Sequence, residues 1–176
     1  MDIPPSPWIA RWAPLIEPGG PVLDVAAGKG RHTALLTALG HPVTAIDRDV
    51  SALSARFPAA AGAVRIIAAD LEDGGPWPLA SETFAGIVVT NYLYRPLFPA
   101  LLAALRPGGV LLYETFMVGH ERYGKPSNPD FLLGDGELLE LTRTARLSVV
   151  AYEAGLTETP SPSVRQRIAA RRVSLS

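Results

Sequence analysis

The chain has 176 residues and a net charge of −1 from 16 basic and 17 acidic side chains, with 48% hydrophobic and 19% charged content. That balance fits a globular domain with a proper core, excludes a disordered chain, and gives no sign of nucleic acid or an acidic membrane surface as the main partner. Cysteine is absent, which excludes a disulfide framework, a thiolate metal site and a cysteine nucleophile.

The lack of disulfides is compatible with the cytoplasm, the expected location. The first residues, MDIPPSPWIARW, show no basic start followed by an apolar core, so no signal peptide is expected. No run of about 18 apolar residues occurs, so no membrane span is expected either.

In chain order, SPWIARWAPLI reads as a short helix. Ser6 caps it, Pro7 suits its first turn, and Trp8, Ile9, Trp12 and Leu15 recur at helical spacing. VLDVA, from Val22, is a short apolar run and reads as a buried strand. RHTALLTALG follows as a helix that stops at Gly40. PVTAID is the second strand, and VSALSARF a helix that Asp49 caps and Pro58 ends. VRIIAAD is the third strand, LEDGGPWPLASET a polar loop, and FAGIVVTN the fourth strand. LFPALLAAL is helical, with Pro99 in its first turn, and RPGG turns the chain into VLLYETF, the fifth strand.

Strand and helix alternate from residue 22 to about residue 116. Unbroken apolar strands belong to a parallel sheet covered on both faces, so the expected fold is a Rossmann-like, doubly wound α/β domain. Its ligands belong at the carboxyl ends of the strands. MVGHERYGKPSNPDFLLGDG then reads as a long polar loop covering the pocket. Asp135 is expected to cap a helix at GELLELTRTA. LSVVAYEAG and VRQRIAARRV read as an antiparallel hairpin.

The chemistry concentrates in VLDVAAGKGRH. Gly28 and Gly30 lie between a strand and a helix start, where glycine admits positive φ and lets a ligand approach the backbone. Alone, such glycines also fit a plain turn. Three acids add weight. Asp24 lies inside the first strand, where an unpaired carboxylate is costly; Asp47 and Asp70 end the second and third. Asp47 follows Gly28 by 19 residues, near the ~20 expected of an acid that binds ribose hydroxyls. A dinucleotide fingerprint, G-x-G-x-x-G, is broken by Thr33 where the third glycine belongs, and it does not call for Asp24. A ligand with an ammonium and a sulfonium would instead gain from a nearby carboxylate.

Together, LDVAAGKGRH, AID, AADLED and LRPGGVLLYETF resemble a class I S-adenosylmethionine-dependent methyltransferase, most closely the small tellurite-resistance-like type. The family's first motif is D-x-G-x-G-x-G; here Ala26 replaces the first glycine, a mild departure if its φ is negative. The resemblance covers nearly the whole chain. It implies a mostly parallel seven-stranded sheet closed by the hairpin, in one domain over residues 1–176: a helical cap (1–19), a cofactor-binding half (20–116), and a lid loop, helix and hairpin (117–176).

The resemblance also implies the cofactor, S-adenosyl-L-methionine, and a set of contacts. Gly28 and Gly30, with Ala26, cradle the methionine portion, and Asp24 lies near its amino group. Asp47 binds the ribose, Arg48 sits beside the adenine edge, and Asp70 with the Leu71 backbone meets the adenine amino side. Thr90 and Asn91 face the methionine amino group or the methyl-transfer site. Arg31 either reaches the ligand's carboxylate or is solvated, and Arg11 is an outside candidate for the same role.

The acceptor is expected to be a small molecule attacked in line, with selenium, sulfur or tellurium nucleophiles needing no base. No catalytic base is singled out. Tyr92, Glu114, Tyr123 and Asn128 are the expected acceptor-side residues, with Tyr94, His120 and Lys125 also in reach; His120 reads more simply as solvated surface. No metal-ligand pattern is present, so no metal is expected. Arg165, Arg167 and Arg171 share one strand face and, with Arg172, form a basic patch that could bind an anionic substrate or nucleic acid; because net charge is near zero it reads as an exposed face balanced by nearby acids, so neither nucleic acid nor membrane is an expected partner. A monomer or homodimer is expected. Two other functions stay open: an NAD-dependent oxidoreductase and a non-catalytic S-adenosylmethionine-binding protein.

Overall fold

A computed structural model describes residues 3–58, 62 and 64–173. Residues 1 and 2 of the N-terminal stretch lie outside the described residues, as do 174–176. The elements are α1 (Pro7–Trp12), β1 (Val22–Val25), α2 (Arg31–Ala38), β2 (Val43–Asp47), α3 (Ser51–Arg56), β3 (Val64–Ala68), β4 (Phe84–Thr90), α4 (Phe98–Ala104), β5 (Leu105–Phe116), α5 (Glu137–Thr144), β6 (Leu147–Thr157) and β7 (Ser163–Arg172).

Seven strands form one sheet in the order β3-β2-β1-β4-β5-β7-β6. The first five run parallel, and β7 is antiparallel to both neighbours. The chain reverses between β3 and β4, so the carboxyl ends of β1 and β4 flank the switch point where α/β ligands bind. Every residue of β4 is buried, as an unbroken apolar run requires.

Alternation along the strands divides the core into two layers. Leu23, Val25, Ile87, Val89, Leu111 and Tyr113 face one side, where Leu101 and Leu138 cover them from α4 and α5. Val22, Val88, Val110 and Leu112 face the other, under Trp8 and Ile9 of α1 and Leu36 of α2. α1 is held at its start by Ser6, whose Oγ accepts from the Trp8 and Ile9 amides.

The structure corrects three local expectations. β5 begins at Leu105, before RPGG, because Leu105 already pairs with Phe84 ahead of a register shift. Asp135 does not cap α5; Gly136 takes that place with φ +67°. Glu137 supplies the anchor instead, accepting from the Gly134 amide at 2.7 Å. The 117–136 segment is also not one open loop. It holds two 3₁₀ turns and a parallel bridge between Met117 and Leu133. Arg95 pins it, donating to both Glu137 carboxylate oxygens and to the carbonyls of Asp130 and Leu132.

Candidate active site

β1 delivers the chain into a left-handed turn. Ala26, Gly28 and Gly30 have φ of +52°, +56° and +74°. Ala26 therefore does not meet the expectation of a negative φ: the turn brings the Ala27 amide onto the Ile46 carbonyl of β2 (3.1 Å), at the strain an L-residue bears there. The two glycines serve different ends. A Cβ on Gly28 would meet nothing within 4 Å, so the backbone there is open to a ligand, whereas a Cβ on Gly30 would press on Phe57 and Leu53 at 2.7 and 2.8 Å. Gly30 thus seats α3 against the turn.

Asp24 is buried beneath this turn. Thr33 Oγ1 donates to its Oδ2 at 2.6 Å, and burial pushes the carboxyl up to about 7. Thr33, which breaks the dinucleotide pattern, is thus the partner of the strand acid. Asp47 stands at the open end of β2, where Oδ2 accepts from the Gly28 amide (2.7 Å) and Oδ1 from the Asp49 amide (3.0 Å). Asp70, past β3, accepts from the Glu72 amide; the Arg48 guanidinium lies 3.9 Å away and is 81% exposed.

Ala26, Asp47, Asp70, Leu71, Glu72 and Tyr92 line one cavity of about 270 Å³, with Arg48 at its rim. The Tyr92 hydroxyl is buried beside Glu72, and burial, then Glu72, pushes its pKa up. Tyr92, expected on the acceptor side, lines this cavity together with Asp70, Leu71 and Glu72. A larger cavity of about 350 Å³ lies at the amino ends of the strands. Its charged groups, Arg65 and Glu82, satisfy each other at 2.8 Å, so it offers no converging chemistry.

A second cluster gathers at the carboxyl ends of β4 and β5, where Thr90 pairs with Glu114. Glu114 is buried and accepts from Ser6 Oγ (2.7 Å), Arg167 Nε (3.1 Å) and Arg165 Nη1 (3.4 Å). Asn91 follows with φ +54°, and Arg165 Nη1 donates to its Oδ1 at 2.5 Å. The exposed basic patch expected on the last strand is therefore corrected: Arg165 and Arg167 are only 15% and 12% exposed, because β7 is an inner strand between β5 and β6 and its arginines fold onto Glu114. Arg172 donates to the carbonyls of Leu102 and Leu105 at the end of α4, and Arg171 to that of Leu15.

Two histidines are buried near this cluster. His32 is buried in α2, and its Nε2 accepts from the Ser6 amide (3.0 Å), so Nδ1 carries the proton and donates to Thr90 Oγ1 (3.2 Å). Burial, then Arg31, lowers its pKa to about 4. His120, expected to be solvated, is 4% exposed. It stacks on Phe116 (4.2 Å), accepts from the Val164 amide and donates to the Lys125 carbonyl.

The remaining expected residues lie apart from the cavity. Arg31 donates to the Pro4 carbonyl, and Arg11 rests over the Trp12 ring. Tyr123 is 46% exposed, and Asn128, also exposed, accepts from the Asp130 amide to start a 3₁₀ turn. Ser6 and His32 have no site role in the sequence reading, and the pairing of Arg165 and Arg167 with Glu114 is not visible there; these partners stand too far along the chain for spacing to show. Among the described residues, no group of three or more His, Asp or Glu side chains is placed to hold a metal ion, and no helix is long and apolar enough to cross a membrane.

The pattern of the methyltransferase domain family matches residues 22–109, half of the chain. The chain belongs to that family, and its strand order with the closing antiparallel hairpin is that of a class I S-adenosylmethionine-dependent methyltransferase. No curated protein sequence matches it.

Among solved structures it is similar to TehB from Haemophilus influenzae, at 19% identity and a TM-score of 0.75, over 93% of this chain and 61% of that one. The chain thus spans less than two thirds of TehB. It is similar to the 1,6-didemethyltoxoflavin-N1-methyltransferase of Burkholderia thailandensis, solved with 1,6-didemethyltoxoflavin and S-adenosylhomocysteine bound (23% identity, TM-score 0.67, 96% of this chain and 77% of that one). It is also similar to a SAM-dependent methyltransferase from Methanosarcina mazei (16% identity, TM-score 0.71, 98% and 100%). At these identities the likeness carries the fold.

Proposed function

We propose that the chain transfers the methyl group of S-adenosylmethionine to a small-molecule acceptor. One observation carries this reading: Ala26, Asp47, Asp70 and Leu71, from the ends of three successive strands, converge on a single cavity. The residues present fit the nucleoside. Asp47 keeps lone pairs for two ribose hydroxyls beside the amides it already holds. Asp70 and the Leu71 backbone suit the adenine amino side, Arg48 its exposed edge, and the buried Tyr92 hydroxyl lies on the same side of the cavity. Gly28 leaves the turn open to the methionine portion, with Arg31 near its carboxylate and Thr90 and Asn91 at the methyl-transfer end.

The bound cofactor supplies a methyl made electrophilic by a sulfonium. The chain's own residues hold the acceptor in line and exclude water. A soft nucleophile needs no general base, in keeping with the site: His32 and Glu114 are engaged by Ser6, Thr90, Arg165 and Arg167. Glu114 acts on the acceptor only through the arginines it holds, and Tyr123 and Asn128 meet an acceptor only at the outer rim.

Titration calorimetry with S-adenosylmethionine, S-adenosylhomocysteine and NAD tests the reading. Micromolar binding of the first two is expected; binding of NAD alone overturns it. Labelled methyl transfer to thiol, selenite, tellurite, phenol and amine acceptors then separates an enzyme from a binding protein.

A further inference from the structure

The contact between Arg165 and Asn91 fixes which way the Asn91 amide points. A guanidinium offers donors and no acceptor, so the Asn91 atom 2.5 Å from Arg165 Nη1 is the oxygen. Arg165 is itself held firmly: its ring-facing side lies 3.9 Å over Phe116, its Nε donates to Ser163 Oγ (3.0 Å), and Nη1 also reaches Glu114. The Asn91 backbone is fixed as well, with φ +54° and its amide on the Glu114 carbonyl at 2.9 Å. The exposed end of the side chain is therefore the NH₂, a donor.

Charge points the same way. One buried carboxylate, Glu114, is shared by two arginines. Arg167 has a second acid, Glu153, at 4.0 Å, whereas the other groups bonded to Arg165 are uncharged. Arg31, the neighbouring cation, donates to a neutral carbonyl. The methyl-transfer end thus presents an N–H donor backed by excess positive charge. A carboxylate or oxyanion meets both a donor and an attractive field there, whereas an ammonium meets a repulsive one.

We infer that Arg165 is a positioning residue that turns the Asn91 amide nitrogen toward the acceptor, so that the pair selects acceptors carrying an anionic, hydrogen-bond-accepting group beside the nucleophile. The inference rests on the methyl-transfer reading above and adds the chemistry of the acceptor.

Two thiols of similar size, 3-mercaptopropionate and cysteamine, test it by calorimetry against the protein saturated with S-adenosylhomocysteine. The carboxylate thiol is expected to bind at least about tenfold more tightly, the factor of a single charge-assisted bond. Asn91→Asp keeps shape and backbone tolerance but removes the donor, and is expected to abolish or reverse the preference. Arg165→Gln is expected to reduce it to within about threefold, with S-adenosylhomocysteine affinity and melting temperature checked alongside. Position 91 is exposed, so Asn91→Asp keeps the test open if Arg165→Gln does not fold. Equal or tighter binding of cysteamine, binding of neither thiol, or a preference that survives Asn91→Asp overturns the inference alone; failure of S-adenosylhomocysteine to bind overturns the methyl-transfer reading with it.

Discussion

Thr33 donates its hydroxyl proton to the buried Asp24 carboxyl across 2.6 Å, while eight residues along the chain His32 and Asp24 hold pKa values displaced in opposite directions. Asp24 is raised from 3.8 to about 7 and His32 lowered from 6.5 to about 4, both chiefly by burial. Folded Asp24 keeps a proton that the unfolded chain releases, so its stabilisation is present below pH 3.8 and is lost as pH rises toward 7. Unfolded His32 takes up a proton that the folded state refuses, so its contribution is present above pH 6.5 and is lost as pH falls toward 4. The two slopes, each up to ~1.4 kcal/mol per pH unit, oppose one another between about pH 4 and 6.5. Asp24→Asn should expose the histidine limb, with stability rising with pH, and His32→Gln the aspartate limb, with stability falling. Urea denaturation across this range checks both; two variants parallel to the parent would refute the assignment.

Asp47→Ala should weaken S-adenosylmethionine binding more than about tenfold, since lost hydrogen bonds to a charged group are worth ~1.5–3 kcal/mol. It also frees the Gly28 and Asp49 amides, which Asp47 now holds. Calorimetry measures the first effect; an unchanged affinity removes Asp47 from the site.

Ala26→Gly should stabilise the protein. A left-handed alanine costs ~1–2 kcal/mol, and glycine returns roughly 0.5–1 kcal/mol of that through the freedom of the unfolded chain. A net gain of about 0.5–1 kcal/mol should appear in denaturant titration. A loss would show that the methyl group, rather than the turn, is what the position needs.

Arg95→Met should leave the sheet intact and loosen the 117–136 cover, because its guanidinium holds two carbonyls of that segment, Asp130 and Leu132, and the Glu137 carboxylate just past its end. Limited proteolysis should cut there about tenfold faster, the factor set by ~1.5 kcal/mol of local opening. Unchanged cleavage would place the anchoring elsewhere.

Much of this is written locally. Val22–Val25, Val43–Asp47 and Phe84–Thr90 are short apolar runs between turn residues, so their nature and order follow from periodicity, and acids placed at or just beyond strand ends must then approach one edge. What spacing does not carry is pairing across the chain. Arg165 and Asn91 are 74 residues apart and Ser6 and Glu114 are 108 apart. The period-two arginines of β7 fit an exposed face as well as one folded onto a buried carboxylate, and only the place of β7 between two strands decides. Ala26 likewise shows its composition but not its φ.

The bond from Ser6 to Glu114 also bears on the order in which the chain folds. α1 precedes the other described elements, yet its cap rests on a strand 108 residues later, and the Trp8 indole donates to the Ile168 carbonyl 160 residues away. Contacts of such sequence separation form only after large loops close. The six residues of α1 are too few to persist alone, so the first helix is expected to dock only once β7 has been laid against β5.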